Sequence, residues 1–486
     1  MQRTFVTNLV LVIGLNLLIK PFWILGIDRY VQIAVGAEMY GFYYALFNFS
    51  FLLNILLDFG ITNFNNKNIS QHQYLVNKHL SSILVLRMML AVLFCIVTMA
   101  LGFLIGYTAD MLKMLIVLVF NQALISFVLY LRSNLSGLHL FRTDSVISVT
   151  DRLIMIVICG FLLVMHKSYG VPFDIRWFVY TQTAGYLITA IITLFIVIDK
   201  AKLKKLTWKL SFFLMILKKS YPYAVLVLLM TFYNRIDTVM LERMFPLGEG
   251  ARQAGIYASA YRFLDAANMI AFLFAGLLLP MFARMLKKKQ SVEQLVHLAF
   301  CLLVVPAFIV SICSYFFSTD LMGFLYRETS HPTESASVFR ILMFCFVPIS
   351  STYIFGTLLT ANGNLKQLNI MAATGMLINV TLNLILIPRF EVEGSAVSSL
   401  ITQLLTSLAQ IIMVNYLFRF RVNYKLLFSL VLFIILVAAE SWYMSTHFQL
   451  HFMIKIILCG FIGLALALLL RIISLKNLYY ILKHEE

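Results

Sequence analysis

Charge is scarce in this chain: Asp, Glu, Lys and Arg make up 12% of its 486 residues, about half the share of a soluble domain. No polar stretch is long enough to form a separate water-facing domain. The longest gap on one side, 317–337, offers only Asp320, Arg327, Glu328, His331 and Glu334 as polar content, which reads as a solvated loop rather than a catalytic one. Cysteine is also sparse. The six residues Cys95, Cys159, Cys301, Cys313, Cys345 and Cys459 all fall inside apolar stretches without the paired spacing of a metal site, so they read as small packing residues. No nucleotide-binding motif occurs, and no metal or cofactor is expected. Arg3 precedes an apolar run, but that run is too long for the core of a signal peptide and no small-residue cleavage site follows it, so no leader is expected.

What fills the chain instead is hydrocarbon. Hydrophobic residues reach 61% and the mean hydropathy is +0.91. Fourteen apolar runs stand out, at 7–27, 41–63, 80–106, 114–131, 145–165, 177–198, 221–242, 254–283, 295–316, 338–360, 368–387, 395–416, 426–444 and 452–470. Roughly 20 residues in a helix span the ~30 Å hydrocarbon core of a bilayer. Lipid offers the backbone no hydrogen-bond partner, so such runs must be helices. The expected fold class is an all-α polytopic membrane protein of about 14 transmembrane helices.

The basic residues orient it. The chain start, every second gap and the chain end hold 23 Lys and Arg, against 8 in the alternate gaps. Basic residues resist translocation, so the richer side is cytoplasmic and both termini lie inside. The net charge of +17 then reflects topology and attraction to anionic lipid, and no nucleic-acid partner is expected.

The two parts of the chain echo each other. Asp28 and then Gly41-Phe42-Tyr43 follow the first run; Asp237 and then Gly255-Ile256-Tyr257 accompany the seventh. Gly137 with Arg142 after the fourth run is matched by Asn362-Gly363 with Lys366 after the tenth. An offset of six helices preserves orientation, which predicts parallel repeats about an axis normal to the membrane. The expected organisation is two pseudo-symmetric six-helix lobes, 1–198 and 221–416, around a central cavity. A cytoplasmic amphipathic connector, 199–220, joins them, and 417–486 adds two helices and a tail. Two lobes rocking about a cavity are what alternating access requires.

Charges inside the runs mark a candidate site, since each costs ~2.5–3.5 kcal/mol at a helix centre unless paired or hydrated. Lys20, Arg87, Arg152, Arg235, Arg262 and Arg340 are candidates for a cationic cavity that would suit an anionic cargo. Asp58, Asp237 and Asp265 are candidates for ion coupling or pairing, and Asn234, Asn379 and Asn383 for sugar contacts. The alternative for these groups is purely structural pairing. Lys455 and Glu242, near helix ends, are expected to reach the interface. Pro21 beside Lys20 should kink the first helix.

The stretch Thr360-Ala361-Asn362-Gly363-Asn364-Leu365-Lys366, then Asn379 and Asn383, then Leu386-Ile387-Pro388-Arg389-Phe390-Glu391-Val392-Glu393-Gly394-Ser395-Ala396, resembles the polysaccharide and O-antigen flippases (Wzx-like) of the multidrug/oligosaccharidyl-lipid/polysaccharide exporter superfamily. Arg235-Ile236-Asp237 and Gly255-Ile256-Tyr257 resemble it too. The chain departs at Glu391, where members commonly have Gly, and at Ser395. The resemblance implies a flippase, not an enzyme, of the bacterial inner membrane. It would move an undecaprenyl-diphosphate-linked oligosaccharide to the outer leaflet, with membrane lipids and the pathway's polysaccharide polymerase and glycosyltransferases as partners. A lipid II flippase and a multidrug cation antiporter of the same superfamily are the alternatives, and a lipid-glycan polymerase or ligase is the rival from another class.

Overall fold

The computed structural model describes residues 14–472 except 17, 63–64, 66–68, 70–74, 139, 201–209, 247, 327–330 and 421–422. Most of the connector and the C-terminal tail therefore lie outside the described residues, as do Arg3, Arg327 and Glu328. Among those described there is no strand. A π-helical turn, Phe22–Asp28, is followed by α1 (Arg29–Leu52), α2 (Ile55–Asp58), α3 (Leu75–Ile105), α4 (Ala109–Gly137), α5 (Phe141–Tyr169), α6 (Ile175–Lys200), α7 (Leu210–Met244) and α8 (Glu249–Lys287). Then come α9 (Glu293–Phe316), α10 (Ser318–Leu325), α11 (Pro332–Phe344), α12 (Phe346–Ala361), α13 (Leu365–Phe418), α14 (Tyr424–His447) and α15 (Phe452–Leu469).

Among the described residues, eleven helices are long and apolar enough to cross a membrane. They carry the third to fourteenth runs, with α13 holding two of them. The first two runs fall on the helical residues from 14 onward, the π-turn, α1 and α2. Pro21 supplies no N–H, and the backbone widens into the π-turn directly after it, the distortion that a missing i→i−4 bond produces.

Two reversals explain why runs share a helix. The second run was expected to open at Gly41, yet α1 begins at Arg29 and breaks at Gly36 (φ 81°, ψ 165°). No Pro or Gly intervenes between Arg29 and Gly36 to stop it sooner. The Tyr40 hydroxyl donates to Asp28 Oδ1 at 2.8 Å, although twelve residues of straight helix would place them about 18 Å apart. The chain therefore folds back at Gly36. α13 likewise breaks at Glu391 (φ 50°, ψ −131°), and a Cβ on Gly394 would strike the Leu386 carbonyl. Glu391 holds a left-handed backbone in which glycine is at ease, which accounts for the glycine common in the resembling proteins. Glu391→Gly is expected to raise thermal stability by about 1 kcal/mol, read as a higher melting temperature of the purified protein.

The faces are inverted relative to a soluble bundle. On α3, Met88, Val92 and Ile96 are exposed at four-residue spacing while Leu86, Leu90 and Phe94 are buried. Polar side chains such as Asn48, Asn121, Gln122, Gln182, Asn379, Asn383 and Gln410 are buried instead. An apolar exterior and hydrogen-bonded interior are what lipid imposes.

The chain divides into two compact units, Met1–Gly255 and Ile256–Glu486. In the first, α4 packs along α6, and α1 along α7. Gly41 lets α1 approach the start of α8, because a Cβ there would overlap the Ala251 carbonyl, and one on Gly255 would overlap Ala37. The two glycines paired in the sequence echo thus sit at one helix crossing. In the second unit α9 packs against α12, α14 and α15, around Val305, Ile309, Phe433, Val437 and Cys459. The Gln182 side chain donates to the Tyr43 hydroxyl at 2.9 Å in the first unit. At the position six runs later, the Tyr257 hydroxyl meets Ser399 Oγ at 3.3 Å in the second.

Candidate functional site

The intramembrane arginines differ in how far the protein already satisfies them. Arg87, on α3, is 4% exposed. Its guanidinium pairs with Asp58 of α2, donates to Thr62 Oγ1 at 2.5 Å and Ser126 Oγ at 2.7 Å, and reaches the Leu57 and Ser126 carbonyls at 3.3 and 3.2 Å. The Tyr130 ring lies 5.0 Å from it. Asp58 in turn accepts from Thr62. The knot ties α2, α3 and α4 together. It is the structural pairing that the sequence left open as an alternative for Arg87 and Asp58.

Arg152, on α5, stands in a different setting. Its guanidinium carbon is 5.6 Å from the Trp23 ring and 5.6 Å from the Tyr186 ring. Aromatic faces attract a cation without consuming its N–H donors. It also meets the Tyr186 side chain, the Met155 thioether at 3.5 Å and the Asp151 carboxylate at 3.7 Å. The rings are held by their own contacts: Trp23 stacks on Phe178 at 5.6 Å, and Tyr43 meets Phe178 edge-on at 5.4 Å.

Asn16 donates to Ser148 Oγ at 2.9 Å. One turn further along both helices, Lys20 lies within electrostatic reach of Arg152, Arg132 and Asp151. The two segments therefore run in the same direction, as odd-numbered spans of an alternating topology must. Arg132, assigned to a cytoplasmic gap, pairs with Asp144 at 2.7 Å. Lys20, Arg132 and Arg152 so gather in one region of the first unit, lined by Trp23, Tyr43 and Tyr186.

Arg235 is half-buried on α7, 3.5 Å from the Tyr44 hydroxyl and 5.6 Å from the Phe51 ring, both on α1. Asp237, two residues on, is buried, and Asn234 precedes them on the same helix. The next residue, Thr238, accepts from Asn48 at 2.7 Å, which fixes α7 against α1.

In the second unit Arg262 and Asp265 stand three residues apart on α8, each half-buried. Arg340 is held near a helix end, donating to Ser318 Oγ at 2.5 Å and Thr319 Oγ1 at 2.8 Å. Asn379 and Asn383 are fully buried on α13, and the Asn383 amide donates to Asn379 at 3.2 Å. Of the candidates in the first unit only Lys20 is thus brought near Arg152, whereas Arg87 and Arg235 stand apart, and Arg262, Arg340, Asn379 and Asn383 lie in the other unit. Sequence reasoning passed over Trp23, Tyr43, Tyr186 and Arg132. The aromatics were indistinguishable from core residues, and Arg132 looked like one more cytoplasmic charge.

An apolar groove of about 470 Å³ opens between α3 and α4, lined by Met88, Val92, Cys95, Ile116 and Phe120. Its walls are hydrocarbon, as a lipid-facing surface requires.

Apolar outside, hydrogen-bonded inside and built from spans with a basic, aromatic interior, the chain is an all-helical multi-pass membrane protein with a transporter fold. The family model described as Polysaccharide biosynthesis protein matches residues 8–286, and the chain belongs to that family. Solved structures share the fold at low identity. A lipid II flippase MurJ in an inward closed conformation aligns with TM-score 0.66 and 16% identity, covering 92% of this chain and 97% of that one. An inward-facing multidrug resistance MATE family transporter of the MOP superfamily gives 0.64 and 14%, covering 85% and 98%. A MOP superfamily transporter from Pyrococcus furiosus, described as having a binding pocket of reverse polarity, gives 0.56 and 14%, covering 85% and 94%. No curated protein matches the chain.

Proposed function

We propose that this protein is a flippase for a polyprenyl-diphosphate-linked oligosaccharide, the repeat unit of a surface polysaccharide such as O-antigen, capsule or exopolysaccharide. It works by alternating access in the bacterial inner membrane with both termini in the cytoplasm. The six-helix halves read from the sequence belong to the same proposal. The observation that carries it is the gathering of Lys20, Arg132 and Arg152 beside aromatic rings, where Arg87 is instead tied to Asp58, Thr62 and Ser126. A cluster of cations inside a membrane bundle suits an anionic cargo, and a diphosphate offers the charged oxygen acceptors that guanidinium and ammonium groups bind best. No bond of the cargo is broken, so the work is to replace hydration of the polar end while the polyprenyl tail stays in lipid.

The second reading, a lipid II flippase, rests on the likeness to the MurJ structure. Purified protein in proteoliposomes separates them. Given both substrates, it is expected to turn over a lipid-linked repeat unit and to leave lipid II in place. Equal or preferential transfer of lipid II would replace the proposed cargo. A multidrug antiporter would instead transport organic cations and neither lipid.

A further inference from the structure

Glu242 has no role in the cluster around Arg152. It sits near the end of α7 and was expected to reach water, yet it is only 8% exposed and its Oε2 has no hydrogen-bond partner among the described residues. Beside it the Tyr107 hydroxyl, at the corner between α3 and α4, is also buried and unpartnered among them. The two groups interact electrostatically. Tyr107 is held between Phe49, edge-on at 5.2 Å, and the Arg243 guanidinium at 5.4 Å. Arg243 is itself anchored to the Ile105 carbonyl at 2.5 Å.

Glu242 and Arg243 line a pocket of about 320 Å³ with Glu38, Thr108, Gly248 and Ala251. Its walls come from three separate gaps, 28–40, 107–113 and 243–253, and the basic-residue count assigns all three to the outer side. The pocket therefore faces the outer water, with the exposed Glu38 and Arg243 at its rim and Glu242 at its base.

An ionised carboxylate held away from water with an oxygen unmet by any donor is costly, whereas the neutral acid is not. The charges facing Glu242 do little to offset that cost. From α1 there is Glu38, a like charge. From α7 there are Arg243, turned to the rim, and Asp237, more than a turn deeper. From α8 there are Glu249 and Arg252, engaged with each other at 2.7 Å. From α4 there are Asp110 and Lys113, paired at 3.0 Å and exposed. We propose that Glu242 is a proton-binding site loaded from the outer side, with the Tyr107 hydroxyl as its polar neighbour and Glu38 gathering cations at the mouth. Resting on the flippase reading above, the proton bound there is the ion whose inward release is coupled to cargo movement.

The test is infrared difference spectroscopy of the purified protein in membranes, stepping the buffer from mildly alkaline to mildly acidic. Wild type is expected to gain a protonated-carboxyl band that Glu242→Gln lacks, and Tyr107→Phe should shift that band by removing the neighbouring hydroxyl. Coinciding wild-type and Glu242→Gln spectra across the range would overturn the proposal. In proteoliposomes carrying a lipid-linked oligosaccharide, acidifying the outside should raise wild-type flipping several-fold and leave Glu242→Gln unresponsive. An equal response in the variant would remove the coupling role. A wild type that shows the band but flips no lipid-linked oligosaccharide would keep the proton site and sink the cargo reading instead.

Discussion

Arg152→Ala is expected to cut export of the lipid-linked unit roughly ten- to hundredfold at normal protein abundance. A charge-assisted hydrogen bond is worth about 1.5–3 kcal/mol, and every 1.4 kcal/mol is a factor of about ten. Abundance should hold because the carboxylate beside it, Asp151, is at 3.7 Å, so truncation leaves no tightly paired acid behind. Arg152→Lys keeps the charge but loses the planar fork, so intermediate export is expected where attraction dominates and almost none where bidentate geometry does. Export and membrane level are measured together. Normal export from the Ala variant would remove Arg152 from the cargo path, and loss of both would make it structural.

Arg87→Met should behave in the opposite way. It leaves Asp58 beside Thr62 with no cation and strips α2, α3 and α4 of their shared tether. Breaking one side of a buried pair costs about 3–5 kcal/mol, enough to lower the melting temperature and the membrane level sharply. Adding Asp58→Asn should recover much of that loss, because the remaining group is then neutral. Export per surviving molecule should stay near wild type. Full stability of Arg87→Met with export abolished would return Arg87 to the cargo site.

Much of the fold was open to reading, since hydropathy alone places the spans and lipid leaves the backbone little choice. The reversal between the eleventh and twelfth runs was announced by Pro388 and Gly394. The turn at Gly36 was not. The preceding stretch Tyr30-Val31-Gln32-Ile33-Ala34-Val35 reads as a short loop between spans, yet nothing in it breaks a helix, so the helix runs on until glycine allows the bend. The site was harder still. Arg87 and Arg152 look alike in sequence, each a lone basic residue in an apolar run. What separates them is which distant side chains arrive: Asp58, Thr62 and Ser126 at one, Trp23 and Tyr186 at the other. Arg235 drew attention by its depth between Asn234 and Asp237, and its contacts with Tyr44 and Phe51 keep it the second arginine to test. Glu242 was misjudged because its position near a helix end implied water, whereas the Tyr107 corner closes over it.

The central claim is that this protein moves a finished lipid-linked glycan across the bilayer and makes or breaks none of its bonds. The most direct measurement is the leaflet distribution of polyprenyl-diphosphate-linked repeat units in cells lacking the protein, read with a membrane-impermeant sugar-modifying probe applied from outside. The account predicts that the units are synthesised and accumulate where the probe cannot reach them. Units that are labelled from outside as in the parent strain, and merely fail to be polymerised, would contradict it.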